Sequence, residues 1–533
     1  MSIFGGRSKA LRQLQRLLRI AHEADRTGMS SQEAVEQARD AERAAFSRRK
    51  FLAGAAATSA LALTSRRALA APNKPPPPDV GIVGAGLAGL QCAYTLSTYG
   101  VNAALYEASN RVGGRQKSLR GFFPGQVAEL GGEFIDTGHK AMLGWVNRLN
   151  LTREDVTRAS TGETTYYFDG QHVAESAVVD EYRAFVAAMR DDLQASTGAP
   201  TATSCNAADQ ALDRMNLSDY LISRGAGRIA RKAIEEAYLA EYGRECSEQS
   251  SLNFLLFIHA DKRSKFSPFG VWSDERFHVV EGNDRIATGI AGLLPRAPEL
   301  GMSLVRVRKT SGGRIELTLK NGNTTVTRTH DRVVLAIPFT VLRTVELDAS
   351  LQLPPWKRTA IDTLGYGDNA KMMVGFKGPY WLELGSNGGS YSDLANHQTT
   401  WETNPSLATS ARAILTDYAS GVRGKSLSTN VQAEAARFLA DLEKVYPGAA
   451  ANVAKQGNNV LAALEHWPSN PLTRGSYTCY TPGQFTTIAE NEGKPVGNLH
   501  FAGEHTNSFY IWQGFMEGAL LSGIDAANEI LDA

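Results

Sequence analysis

The stretch whose reading decides the fold is "DVGIVGAGLAGLQCAYTLSTYG", residues 79–100. A short apolar run leads into Gly84-x-Gly86-x-x-Gly89, and a helical pattern follows that ends near Gly100. A strand turning on glycine into a helix opens a dinucleotide-binding βαβ unit. In that unit Gly84 makes the tight turn, Gly86 admits the pyrophosphate close to the backbone, and Gly89 lets helix and strand touch. The helix N-terminus adds unpaired N–H groups and the positive end of its dipole. A second strand, "NAALYEA" (102–108), ends in Glu107, 23 residues after Gly84, where a carboxylate can accept hydrogen bonds from a ribose. These features predict nucleotide binding and leave NAD and FAD both open.

The bulk composition is that of an ordinary globular protein. Of 533 residues, 43% are hydrophobic and 21% charged, enough chain for a large core and two domains. Net charge is +1, but residues 1–70 carry 13 Lys/Arg against 6 Asp/Glu, so the remainder is mildly acidic. Nothing in that remainder reads as a nucleic-acid surface. Four scattered cysteines (Cys92, Cys205, Cys246, Cys479) form no CxxC pair, which argues against a cysteine zinc site and a disulfide framework. No metal site is expected. No apolar run is long enough to span a bilayer.

The N-terminal region reads as an address. Ser47-Arg48-Arg49-Lys50-Phe51-Leu52 precedes the mildly apolar 53–64, and Ala68-Leu69-Ala70 places small residues at a cleavage position. This resembles a twin-arginine signal, with Arg66 and Arg67 discouraging the other export route. Residues 1–70 are expected to be the leader and 71–78 a proline-rich extended linker, so the chain is predicted to be periplasmic or exported by that machinery. Forty-six residues precede the motif, and within them Leu11, Leu14, Leu17, Leu18 and Ala21 share one helical face.

Beyond the first two strands, "EASNRVGGRQKS" (107–118) and "ELGGEFID" (129–136) resemble the flavin-dependent amine oxidase family, which includes monoamine, polyamine and L-amino acid oxidases. "GNLHFAGEHTNSFYIWQGFMEGALLSGIDAANEIL" (497–531) resembles that family's closing motif. The resemblance covers essentially 79–533 and implies FAD. It implies an α/β fold: a Rossmann-like FAD-binding domain of the amine oxidase type, interleaved with an α+β substrate-binding domain. The FAD domain is expected at 79–150, 275–340 and 455–533, and the substrate domain at 151–274, largely helical, and 341–454. The segments 275–294 and 304–322 are read as strands returning to the FAD domain.

By the same resemblance Gly114, Arg115 and Gly132 join Gly84, Gly86, Gly89 and Glu107 as cofactor-binding residues, with Arg115 along the phosphate and ribityl chain. Ser109 stands where many members have an arginine, so one cation is missing or supplied from elsewhere. Gly503 and Glu504 face the pyrophosphate and ribityl groups, Val305 offers its backbone to the adenine, and Trp467 packs near the flavin ring. Met516 opens a helix aimed at the flavin edge that gains negative charge on reduction. Ser476 occupies the place of a flavin-linking cysteine, which implies non-covalent FAD; Cys479 lies two residues too far on.

Lys371, in "NAKMMV", aligns with the lysine that holds a water against flavin N5, and its apolar neighbours would leave it partly desolvated and suited to oxygen activation. Tyr477 and Phe515 fall where the family builds two aromatic walls before the flavin. Asp136 sits where polyamine oxidases carry an acid facing cationic substrate groups; the competing reading is a loop aspartate or cap for the following helix. The implied reaction moves hydride from an amine-bearing carbon to the flavin, with O2 reduced to H2O2. A primary amine or polyamine is the favoured substrate, because the arginine of venom-type amino acid oxidases is absent from Gly131-Gly132-Glu133-Phe134. An L-amino acid oxidase and an exported amine dehydrogenase with another electron acceptor are the alternatives. Oligomeric state is not readable.

Overall fold

The glycine-rich turn joins a strand to a helix as read: Val80–Val83 (β1) leads into Leu87–Thr98 (α1), and Ala104–Glu107 (β2) follows. The computed structural model describes residues 17–38 except 19 and 22, then 77–156, 162–258 and 275–533. The twin-arginine motif, the cleavage site and linker residues 71–76 lie outside them.

β1 is central in a five-stranded parallel sheet, flanked by β2 and Arg332–Leu335, with Glu299–Leu300 and Leu499–Phe501 at the edges. All four β1 residues are buried, as expected for a parallel strand covered on both faces. The terminal helix, Met516–Leu531 (α4), lies on α1, and only a residue without a side chain fits at that crossing. A Cβ on Gly523 would stand 2.3 Å from the Ala88 carbonyl oxygen. Between them in sequence come Lys140–Arg148 (α2) and Glu175–Ala195 (α3).

The second layer is a seven-stranded sheet, in the order Ala462–His466, Ala370–Phe376, Ala413–Ala419, His397–Glu402, Ser386–Leu394, Glu163–Phe168, Gln171–Val173. A helical group that includes α3, Arg228–Tyr242 and Ser251–Ile258 completes this half. The α/β class and the interleaved α+β half are as the sequence implied.

Two placements differ from the sequence reading. Residues 275–294 hold one short strand and a helix: Phe277–Val279 pairs with Arg153–Asp155, and Asp284–Gly292 is helical with Ile286, Ala287 and Ile290 buried at helical spacing. The segment 304–322 is two strands, as read, and they lie in a separate four-stranded sheet. Ala462–His466 pairs antiparallel with Ala370–Phe376, so the substrate-side sheet runs past the expected boundary at 454.

Helical residues ahead of the signal motif pack onto the protein's own body. Leu17, Leu18, Ala21 and Ala24 are buried, the Arg183 guanidinium on α3 donates to the Met29 carbonyl (3.2 Å), and the Ser31 hydroxyl donates to Asp180. The described half of the apolar face at 11–21 is therefore covered by this chain itself. All four cysteines are free, and Cys92, Cys246 and Cys479 are buried. Among the described residues no helix is long and apolar enough to cross a membrane.

Candidate active site

One cavity of about 480 Å³ runs from the glycine turn at the tip of β1 to the face of the seven-stranded sheet. At the first end the three glycines divide their tasks physically. Gly84 has φ +101°, and a Cβ there would meet the Ala336 carbonyl oxygen at 2.4 Å. A Cβ on Gly89 would stand 1.9 Å from the Gly84 carbonyl oxygen, so α1 and β1 touch only through glycine. A Cβ on Gly86 would meet nothing within 4 Å, because this residue faces the open cavity. Gly86 is also the N-cap of α1 and no side chain caps it, so the first-turn N–H groups remain for an anion.

Glu107 braces this turn. Its Oε2 accepts from the Ala85 N–H and its Oε1 from the Ser109 N–H, both at 2.8 Å. The RVGGR segment packs alongside: Gly113 N–H donates to Ala85 O (2.8 Å), and the Arg111 guanidinium closes its own loop on the Val112, Gly114 and Gln116 carbonyls. Arg115 reaches across the cavity to Ser476 O (2.6 Å) and Glu504 Oε1 (2.8 Å), while Glu504 Oε2 accepts from the Thr478 hydroxyl (2.9 Å). Gly503 has φ +142° and donates its N–H to the Ser522 hydroxyl. The glycine cradle, the uncapped helix end and the paired carboxylates fit an adenine dinucleotide at this end.

The middle of the cavity is lined by Gly114, Gly132, Trp467, Gly503 and the start of α4. Gly132 gives room to Met516, whose Sδ would lie 2.8 Å from a Cβ there. Trp467 is buried and donates its indole N–H to Leu130 O (2.9 Å). Phe515 is the N-cap of α4 with no side-chain cap. The acid of that first turn, Glu517, faces away to another helix. Its two oxygens accept from the Ala141 and Met142 N–H groups at 2.8 Å and so cap α2.

At the far end stand Phe134, Trp401, Tyr418, Tyr477 and Phe515, with Lys371 and Glu133 beside them. Strand register explains the grouping: Lys371 lies directly opposite Tyr418, and Thr399 opposite Tyr418 on the next strand puts Trp401 on the same face two residues on. The Trp401 and Tyr418 rings meet at 5.5 Å and Phe134 meets Trp401 at 5.8 Å. Tyr418, Trp401, Phe134 and Glu133 escaped the sequence reading. Trp401 lies in an entirely buried strand whose pattern marks no special position.

Among the residues expected at the site, Val305 lies outside the cavity lining, which passes through Met302, Ser303 and Leu304 instead. The register shift between Leu304 and Arg306 turns Val305 outward, where it is 39% exposed. Lys371 does not stand among apolar groups alone, because its ammonium meets three oxygens, one of them the Glu133 carboxylate at 2.6 Å. Asp136 is no helix cap. Its Oδ1 accepts from the Glu275 N–H (2.8 Å) and its Oδ2 lies 3.4 Å from His139 Nε2. Burial pushes the His139 imidazole down to about 3, so it is neutral, with Nδ1 accepting from the Asp136 N–H and its proton on Nε2. Cys479 is fully buried and does not line the cavity. Among the described residues no His/Cys/Asp/Glu cluster could hold a metal.

A nucleotide cradle that opens into an aromatic chamber defines a dinucleotide-dependent oxidoreductase. Residues 87–531 match the family described as "Flavin containing amine oxidoreductase", and the chain belongs to that family. It is a flavin-dependent amine or amino acid oxidoreductase with FAD as cofactor. The L-amino-acid oxidase of Notechis scutatus scutatus is 23% identical over 480 residues, spanning 85% of this chain and 87% of that one. The "Probable flavin-containing monoamine oxidase A" of Dictyostelium discoideum is 22% identical over 469 residues, 85% of this chain and 97% of that one. Among solved structures, cyclohexylamine oxidase from Brevibacterium oxydans IH-35A has the same fold, with a TM-score of 0.71 and 21% identity over 86% of this chain and 99% of that one.

Proposed function

We propose that this protein oxidises a primary amine or polyamine to an imine, with O2 taking up the two electrons and two protons as H2O2. The imine then hydrolyses to a carbonyl compound and ammonia or an amine. Bound FAD supplies the two-electron acceptor chemistry. The observation that carries the choice of an amine is the state of the cavity's cations. Among the described lining residues these are Arg111, Arg115, Lys117 and Lys371. Arg111 is spent on carbonyls, Arg115 on Glu504, Lys117 on Glu465 and Lys371 on Glu133. None is left to pair an α-carboxylate, and Gly131-Gly132-Glu133-Phe134 carries no arginine.

The chain's residues divide the work. Gly84, Gly86, Gly89, the α1 N-terminus, Glu107, Arg115 and Glu504 hold the cofactor's phosphate and ribose parts, without a covalent link because Ser476 replaces a cysteine. Tyr477, Phe515, Tyr418 and Trp401 orient an amine nitrogen and exclude water from it. Lys371 carries positive charge at the reacting end. An L-amino acid oxidase is the second reading, drawn from relatives of that name, and an exported dehydrogenase using another acceptor is the third. Peroxide release measured over a panel of amines and α-amino acids separates them: peroxide from α-amino acids alone refutes the amine reading, and flavin reduction without peroxide favours the dehydrogenase.

We further propose export through the twin-arginine route to the periplasm. Three separated chain segments meet around the cofactor, so binding it in the cytoplasm stabilises the folded state before transport. A route that carries folded proteins suits this order.

A further inference from the structure

We propose that residues 17–38 are a latch: docked on α3, they hold the folded precursor on the cytoplasmic side, and they must undock for the protein to be exported. The latch rests on the export reading for its meaning, but the docking itself is a matter of geometry. Helical residues lie on either side of Gly28, which has φ +70°. The second helical piece starts on a capping box. The Glu33 N–H donates to the Ser30 hydroxyl and the Ser30 N–H to Glu33 Oε2, both at 3.2 Å. The turn between the two pieces is what α3 grips. The Ser31 hydroxyl donates to Asp180, and the Arg183 guanidinium donates to Met29 O (3.2 Å) and Ser31 Oγ (3.4 Å). Asp180 and Arg183 stand three residues apart, so they share a face only when α3 is helical.

Apolar packing backs this grip. Leu17, Leu18, Ile20, Ala34 and Val35 are each at most 5% exposed, and they belong to one apolar cluster with Val178, Tyr182 and Phe185 of α3. α3 is in turn fixed by the helical group around it. Glu181 Oε2 accepts from the Ala230 N–H (2.8 Å), and Asp192 takes the Arg224 guanidinium and the Tyr220 hydroxyl. The platform therefore exists only once this half of the protein has folded, and the latch closes on folded precursor.

Membrane topology makes the docked arrangement incompatible with the exported state. An export signal keeps its basic residues, here Arg48, Arg49 and Lys50, at the cytoplasmic face while the chain after it crosses. Residues 17–38 precede those basic residues and α3 follows them. The segment and its platform thus end on opposite sides of the membrane, and every docking contact must break before transport is complete. Where undocking is fast relative to transport, the rate follows the undocked population. Docking then slows departure and lengthens the interval in which the cofactor can bind.

The test follows pulse-labelled full-length precursor in cells, with processed protein in the periplasm as the readout. Leu18→Asp places a charge in the dock and should shorten the precursor's half-life by about threefold or more. Asp180→Asn/Arg183→Gln loosens the same dock from the other side and should act in the same direction. With cleavage after Ala70, Leu18→Asp yields a mature chain identical to the wild type, so a changed enzyme cannot explain a changed rate. In the opposite direction, Ser31→Cys/Asp180→Cys in a Cys205→Ser background is joined by a cleavable bis-maleimide in the purified holoprecursor. It should not enter inverted membrane vesicles until the linker is cut. Trypsin should cleave the wild-type holoprecursor at Arg26 more slowly than the Leu18→Asp form. Unchanged half-lives in both loosened variants, transport of the cross-linked precursor, or equal cleavage at Arg26 overturns the latch. Should Leu18→Asp precursor be degraded, the cross-linked form decides. If Arg48→Lys/Arg49→Lys matures as the wild type does, the export reading fails and the latch with it, while protection at Arg26 still reports on the docking.

Discussion

The hydroxyls of Tyr418 and Tyr477 lie 2.9 Å apart, joining a strand of the seven-stranded sheet to a loop 59 residues further along the chain. Tyr477 passes its own proton to Ala240 O at 3.3 Å, so Tyr418 is the donor to Tyr477. The aromatic wall is thereby held from three separate parts of the chain. Tyr477→Phe keeps the ring and cuts the link, and the expected effect is a rise in KM of about threefold to tenfold with kcat little changed, since one neutral hydrogen bond is worth about 1 kcal/mol. Tyr477→Ala removes the wall and should lower kcat/KM by about a hundredfold. Steady-state kinetics with the best amine substrate check both.

The two glycines of the turn predict opposite failures. Gly86 has φ −73° and an unobstructed Cβ position, so Gly86→Ala should fold with an unchanged apo melting temperature. Its methyl group projects towards the space for the pyrophosphate, and FAD affinity should fall by tenfold or more, about 1.4 kcal/mol. Gly89→Ala would place a Cβ 1.9 Å from the Gly84 carbonyl oxygen and should destabilise the apoprotein itself. Thermal melts with and without FAD distinguish the pair.

Much of the cofactor end was legible in the sequence because its demands fall on local spacing. Gly84, Gly86 and Gly89 are close together, and Glu107 ends the next strand. The motif around Phe515 and Met516 likewise sits at a helix start. The substrate end is written differently. Tyr418, Trp401 and Lys371 converge only through strand register, and Glu517 caps a helix that begins 377 residues earlier, at Lys140. Glu133 stood inside a quoted motif, but its partners Lys371 and Trp401 are 238 and 268 residues away, so nothing local marked it. Val305 was expected from the resemblance to offer its backbone, and the bulge between Leu304 and Arg306 turns only its side chain outward.

Stability should fall as pH rises from about 4.5 to about 7 because of Glu129. Burial pushes its carboxyl up from 4.5 to about 7, against the opposing Asn283 N–H and Ser118 hydroxyl. Between those values the folded chain binds the proton that the unfolded chain has lost. The contribution is complete below about 4.5 and gone once pH passes about 7. Glu129→Gln keeps the shape without the titration and should flatten this slope, leaving the variant more stable than the wild type at pH 8 by at most ~3 kcal/mol. Denaturant melts at a series of pH values test it.

The helical residues within 17–38 should be part of the stable fold. Leu17 and Leu18 are each 1% exposed, and Ala21 and Ala24 are wholly buried. Leu18→Ala should cost about 2–5 kcal/mol and lower the melting temperature of the full chain. If cleavage follows Ala70, α3 loses the contacts made at Asp180 and Arg183, and the processed enzyme should melt lower than the unprocessed one. Equal melting temperatures would show that this segment does not dock.

The most direct test of the account is anaerobic mixing of the holoenzyme with single amines and single α-amino acids, followed by readmission of oxygen. The account predicts that primary amines or polyamines bleach the oxidised flavin spectrum, and that oxygen restores it with one H2O2 per carbonyl product. Bleaching by α-amino acids alone, or by no compound of either class, would contradict it.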